Sequence, residues 1–195
     1  LHGVSANSNY FEFIFPYFFN NYEIFALDFK GHGKSYFDYD NYNLNLYHQD
    51  TEKFIKEIVK NPDFILGYSM GGRISLSLLI KNPSLCKKLI IVDVGANIDK
   101  MGLQMLIKAY KSLPPYFETQ EEIKDYMRKY RFINDENYLN LHVRHYWKKE
   151  NNKFVPNYDP LNDYFGDLKY DGKSHIERLS SFVTARDQES FNRHF

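Results

Sequence analysis

Gly67-Tyr68-Ser69-Met70-Gly71-Gly72 follows the apolar run Phe64-Ile65-Leu66 and precedes a helix-like stretch that begins near Arg73. A strand turning sharply into a helix is the setting in which a G-x-S-x-G string lifts its serine hydroxyl above the edge of a sheet. Such a turn drives the serine backbone into a sparsely populated conformation. Residues two before and two after the serine crowd the crossing of strand and helix, and Gly67 and Gly71 carry no side chain to collide there. Because the helix opens at the serine, its unpaired N–H groups face any negative charge that develops on a bound carbonyl. A bare match to the string arises by chance in roughly one chain in fifteen of this length. The flanking strand and helix, together with two motifs upstream, carry the inference.

The chain has 195 residues, enough for one domain with a sizeable core. Its 25 basic and 25 acidic residues balance, which excludes an electrostatic case for nucleic acid or an anionic membrane as partner. The 17 Tyr and 17 Phe fit a packed core and an aromatic-lined pocket equally well. A single cysteine, Cys86, excludes an intrachain disulfide and suits a reducing compartment, so a cytoplasmic location and a buried, inert thiol are expected. No run approaches the ~18 apolar residues of a membrane span. Leu1, rather than Met, stands directly against a motif, and the expectation is that the true start is missing.

Short apolar runs at 22–28, 63–67 and 88–94 alternate with helical patterns, which predicts βαβ units and buried parallel strands. Residues 9–19 predict a helix bent near Pro16. Leu44 to Val59 shows one apolar face and is stopped by Asn61-Pro62. The helix after Ser69 runs to about Lys81 and ends at Asn82-Pro83. Beyond Gly95 the texture changes to charged, Tyr-rich helical stretches at 101–113, 118–132 and 135–148, with Thr119-Gln120-Glu121-Glu122 as a helix start. An extended, turn-containing segment over 151–160, a short helix over 161–165 and a possible strand over 180–185 follow. The expected organisation is a partial α/β core over 1–97, a helical cap over 98–165 and an uncertain return toward the core over 166–195.

Three motifs in register resemble the alpha/beta hydrolase superfamily, in particular its small, lid-bearing, cofactor-free esterase-like members. Leu1-His2-Gly3-Val4 is similar to the His-Gly loop after a core strand. Asp28-Phe29-Lys30-Gly31-His32-Gly33-Lys34-Ser35 is similar to the family's Asp-x-Arg-Gly-x-Gly-x-Ser turn, with Lys30 in place of Arg. Gly67 to Gly72 is similar to the family's serine turn, with Tyr68 where His is common, and Tyr158-Asp159-Pro160 resembles the lid region. The resemblance spans residues 1 to about 165. It implies an incomplete alpha/beta-hydrolase fold: a doubly wound, mostly parallel sheet with an all-helical lid insertion. It implies no cofactor, and a small-molecule acyl substrate as partner.

A serine hydroxyl is a poor nucleophile without a base in hydrogen-bond reach, and its tetrahedral intermediate needs donors for the oxyanion. The resemblance makes Ser69 the nucleophile and assigns the donors to the backbone N–H groups of Val4 and Met70. His2 is read as a residue bracing its loop rather than as the base. Family members order the triad Ser, Asp/Glu, His. Asp93, 24 residues after Ser69 and at a strand end, is either the triad acid or a loop cap. Asp187, after the possible final strand, is the alternative acid. No histidine fits the base: His194 lacks a preceding glycine, His175 is unassigned, His32 belongs to the Gly-rich turn and His48 is expected on a helix surface. His142 and His145 share a helical face at i, i+3, but no third ligand accompanies them, so solvated lid histidines and no metal are expected. The chain therefore reads as a fragment lacking its opening strands and its last strand–helix units, and loss of the efficient reaction from the fragment itself is expected.

Two functions follow. One is a serine hydrolase of carboxylic esters, thioesters or a C–C bond beside a carbonyl. The other is a non-catalytic binder of small ligands in the same pocket.

Overall fold

The computed structural model describes residues 1–37, 42–94 and 100–159. Its centre is a two-stranded parallel ladder of β1 (Phe64–Tyr68) and β2 (Lys88–Val92), in register from Phe64 opposite Lys88 to Tyr68 opposite Val92. Helix α2 (Met70–Lys81) connects them and packs on the sheet. Helix α1 (Leu44–Phe54) lies against α2, its start capped by the Asn43 side chain, which accepts from Leu46 N at 2.9 Å. A π-helical turn, Ile55–Val59, ends the α1 segment where Lys60 and Asn61 take positive φ. Phe29, Tyr47, Ile65, Met70, Ile74 and Leu79 are buried in one core between these elements.

A helical layer follows: α3 (Lys100–Lys111), α4 (Gln120–Arg131) and α5 (Glu136–Tyr146). Helix α4 starts where Thr119 Oγ1 accepts from Glu122 N at 3.2 Å, as its sequence predicts. Glu121 and Glu122 sit in its first turn and Arg128, Lys129 and Arg131 in its last, the arrangement the helix dipole favours. Ile123, Met127, Leu139, Val143 and Trp147 form a second core, into which Ala6 and Tyr10 reach from the first loop. The layer is not all-helical. Strands β3 (Trp147–Glu150) and β4 (Lys153–Pro156) make an antiparallel hairpin around Asn151-Asn152. Both asparagines have positive φ (48° and 63°), the conformation a two-residue hairpin turn requires and asparagine tolerates.

Three further expectations are corrected. Residues 9–19 form two short 3₁₀ turns, Ser8–Phe11 and Phe15–Tyr17, rather than one helix, with Pro16 inside the second. Residues 22–28 pair with no strand among the described residues. Residues 21–26 instead line, with 59–66, a groove of about 340 Å³, and the Tyr22 ring meets Phe64 edge-on at 5.1 Å. Strand β2 is not buried on both faces: Leu89 packs on the core, but Ile90 and Val92 are 41% and 42% exposed, since nothing among the described residues covers their side. The short helix expected over 161–165 and the strand over 180–185 lie outside the described residues.

Ile74 is fully enclosed at the α2–sheet contact. Ile74→Ala is expected to lower unfolding free energy by about 3 kcal/mol through lost burial and the cavity left behind. Ile58→Ala, on a side chain 57% exposed, is expected to change it by less than ~0.5 kcal/mol. Urea unfolding of the two variants checks the contrast.

Candidate active site

Ser69 stands between the last residue of β1 and the first of α2, with φ 49° and ψ −111°. That conformation is unfavourable for a residue with a side chain, by about 1–3 kcal/mol. Its neighbours hold it in place: Ser69 N donates to Val92 O on β2 at 2.9 Å, and Arg73 N donates to Ser69 O at 3.1 Å. Strand and helix cross so closely that a Cβ on Gly67 would lie 2.6 Å from the Cα of Gly72. The serine hydroxyl makes no capping bond to α2.

The first loop is laced to this turn. Leu1 runs beside β1, its backbone nitrogen donating to Leu66 O at 2.7 Å while Tyr68 N donates to Leu1 O at 3.0 Å. Gly71 N donates to His2 O at 3.0 Å, and a Cβ on Gly3 would lie 3.2 Å from the Cβ of Ser69. The loop therefore places Val4 beside the serine turn, while Met70 opens the helix. The amides of both residues donate to no acceptor among the described residues.

Two buried histidines fix the loop from behind. His2 Nε2 accepts from Phe29 N at 2.9 Å, and its Nδ1 lies 2.7 Å from Gly3 O. His32 Nε2 accepts from Ser5 N at 3.2 Å, and its Nδ1 lies 3.0 Å from Lys30 O. Each ring thus carries its proton on Nδ1 and is neutral. Burial pushes His32 down to about 4 and His2 well below its ordinary value, the latter aided by the neighbouring His32. The rings lie 5.0 Å apart. Asp28 completes the brace: its carboxylate accepts from Ser8 N at 2.6 Å and Lys34 N at 2.9 Å. Gly33, at φ 57°, passes so close that a Cβ would strike the Asp28 carboxylate. Gly31 O accepts from Asp159 N at 2.8 Å, tying the turn to the segment after β4.

Asp93 follows β2, exposed and with φ 55°. Its charge reaches the Tyr68 phenol, whose pKa is raised chiefly by burial, then by Tyr10 and by Asp93. No hydrogen bond joins Asp93 to Ser69 among the described residues. Asp187, His175 and His194 lie outside them. The remaining histidines differ from expectation. His48 is enclosed at the α1–α2 contact rather than on a surface, because α2 covers its face of α1. His142 and His145 are buried rather than solvated, since α5 turns that face toward Tyr10 and Glu12. His142 stacks on Tyr146 at 4.2 Å, and His145 Nε2 lies 3.0 Å from Glu12 Oε1. Aromatic rings link the serine turn to the helical layer, Tyr68 stacking on Tyr10 at 5.0 Å and Tyr10 meeting Tyr146 at 6.0 Å. Sequence reasoning missed the reciprocal role of His32 and the bond of 3.0 Å between Ser5 Oγ and Tyr110 Oη. The only available signal for the first was a histidine in each of the two motif loops.

The brace has a pH consequence. Between pH 6.5 and 4 the unfolded chain binds a proton at His32 that the native protein does not, so stability falls as pH falls through that window and is fully present above it. The loss attributable to His32 is about 3 kcal/mol. His2 and His142 act in the same direction. The melting temperature is expected to rise from pH 4 to 6.5 and then level off. A flat profile measured by circular dichroism would contradict the neutral pair.

Residues 1–160 match the family described as alpha/beta hydrolase fold. The chain is 32% identical over 144 residues, 67% of its length, to a protein named "Probable alcohol acetyltransferase" from Cyberlindnera fabianii. It is 25% identical over 126 residues, 65% of its length, to a 2-(acetamidomethylene)succinate hydrolase from Mesorhizobium japonicum. It spans 38% and 45% of those two proteins. An alpha/beta hydrolase from Novosphingobium aromaticivorans superposes with a TM-score of 0.82 at 18% identity, over 94% of this chain and 68% of that one. Among the described residues no helix is long and apolar enough to cross a membrane. With the serine turn, the braced His-Gly loop and a family match over four-fifths of its length, the chain belongs to the alpha/beta hydrolase fold family.

Proposed function

We propose that the protein is a serine hydrolase of small acyl compounds, with Ser69 as nucleophile. The observation that carries this reading is the strained placement of Ser69 at the mouth of α2, beside two amides that have no acceptor among the described residues. Ser69 Oγ bonds to the acyl carbon as its proton passes to a histidine base. The carbonyl electrons move onto an oxyanion held by Val4 N–H and Met70 N–H. Collapse of that intermediate expels the alcohol or thiol, which takes the proton from the histidine. Water, deprotonated in turn, then attacks the acyl-enzyme and releases the acid. None of the five described histidines hydrogen-bonds to Ser69, so the base of this scheme is not assigned to any of them. Asp93 stands as the candidate for orienting it, and Asp187 as the alternative.

An alcohol in place of water as the second acceptor is a reading favoured by the relative named as an alcohol acetyltransferase. Both readings share one acyl-enzyme and differ only in what resolves it.

With p-nitrophenyl acetate, a burst of p-nitrophenol equal to the enzyme concentration is expected, and Ser69→Ala should lower the rate by a factor on the order of 10⁴. Unchanged turnover by Ser69→Ala would remove the proposal. Adding ethanol separates the two acceptors: acetate alone supports hydrolysis, and ethyl acetate rising with ethanol concentration supports transfer. Saturable binding of the ester with neither burst nor turnover would favour a non-catalytic binder.

A further inference from the structure

Two arginines lie one turn apart at the end of α4 and have opposite surroundings. Arg128 is ion-paired with Glu121, Asp125 and Glu136 at 2.8–2.9 Å. Arg131 is ion-paired with no carboxylate among the described residues. Its guanidinium carbon stands 5.0 Å from the centre of the Tyr110 ring, and its Nε is buried with no hydrogen-bond partner. A buried guanidinium N–H without an acceptor is unfavourable and rare in native proteins.

The groups around it are the phenols of Tyr110, Tyr138 and Tyr158 and the imidazole of His142, all within reach of its charge. Burial raises the three phenols, Tyr138 to about 12, while Arg131 pulls each back; burial and then Arg131 push His142 down to about 3. His142 is more than nine-tenths buried, and its Nδ1 also lacks a partner. One cation, three neutral hydroxyls and one neutral imidazole thus lie within electrostatic reach of one another, with two polar atoms left unsatisfied and no carboxylate paired with Arg131 among the described residues.

This cluster is joined to the serine turn from two sides. Tyr110 Oη bonds to Ser5 Oγ at 3.0 Å, and Ser5 follows Val4. His142 stacks on Tyr146, which meets Tyr10 on Tyr68, the residue before Ser69. We propose that Arg131, seated on Tyr110, binds a carboxylate carried by the substrate, so that the acyl compound attacked at Ser69 is an anion. This rests on the reading of Ser69 as nucleophile. A carboxylate fits better than a phosphate, because a single guanidinium beside a neutral imidazole balances one negative charge and not two. A guanidinium also matches a carboxylate with two parallel N–H···O bonds.

Two esters of similar size test the idea, monomethyl glutarate and methyl pentanoate, assayed with the full chain. The wild-type protein is expected to prefer the anionic ester in kcat/KM. Arg131→Met should shrink the ratio of the two kcat/KM values by roughly 10–100-fold, mostly through KM, as loss of a charge-assisted hydrogen bond predicts. Arg131→Lys should restore part of the ratio, and Arg128→Met should leave it as in the wild type. A wild type without preference, or an Arg131→Met variant that lowers both esters equally, overturns the proposal. A second arm is independent of turnover: calorimetry should show glutarate bound by Ser69→Ala and bound at least 10-fold more weakly by Ser69→Ala with Arg131→Met. Absence of glutarate binding by Ser69→Ala overturns the anion site. Binding without ester cleavage by the wild type leaves the anion site standing and removes the nucleophile reading instead.

Discussion

The exchange of hydrogen bonds between His2 and His32 is the constraint on which the site geometry depends. Each ring accepts from a backbone amide of the other's loop, so neither loop can shift without orphaning a buried N–H in the other. The first loop in turn lies against Ser69 through Gly3 and reaches α2 through Gly71 N. A serine in a disfavoured backbone conformation persists only where its surroundings over-determine it. Here the ladder bond to Val92, the contact at Gly67 and the braced loop supply that surplus of constraint.

The same arrangement adds no imidazolium charge to the loops behind Ser69. His2 and His32 are neutral, so the positive potential beside the serine comes from backbone amides and the mouth of α2. Asp28 is consumed by amides of its own turn and its neighbour, and Arg128 by three carboxylates. Between the two cores lies an aromatic seam, Tyr68, Tyr10, Tyr146 and His142, in which burial raises the phenols of Tyr68 and Tyr146 and keeps the His142 imidazole neutral.

What the sequence disclosed follows the strength of its local signals. The run from Phe64 to Lys81 carries an apolar strand, three glycines at a crossing and a terminating Asn-Pro, and it folds as those features dictate. Thr119 with Glu122 announced the start of α4 in the same way. Residues 22–28 failed because a strand exists only by pairing, and an apolar run says nothing of whether a partner is in reach. Of the hairpin 147–156, the turn and second strand fall in the segment that reads as extended and turn-containing, but the first strand does not, since Lys148-Lys149-Glu150 lacks the alternation that marks a half-buried strand. His142 and His145 were misjudged as solvated because i, i+3 spacing identifies a shared face but not what covers it. The meeting of Arg131 with Tyr110, or of Ser5 with Tyr110, joins residues too far apart in the chain for any spacing rule.

Both imidazoles of the brace are sealed from solvent, and every one of their ring nitrogens is committed to the main chain. Reagents that acylate histidine therefore find no open lone pair on either ring while the protein remains folded. Inactivation by such a reagent would report on a histidine other than these two.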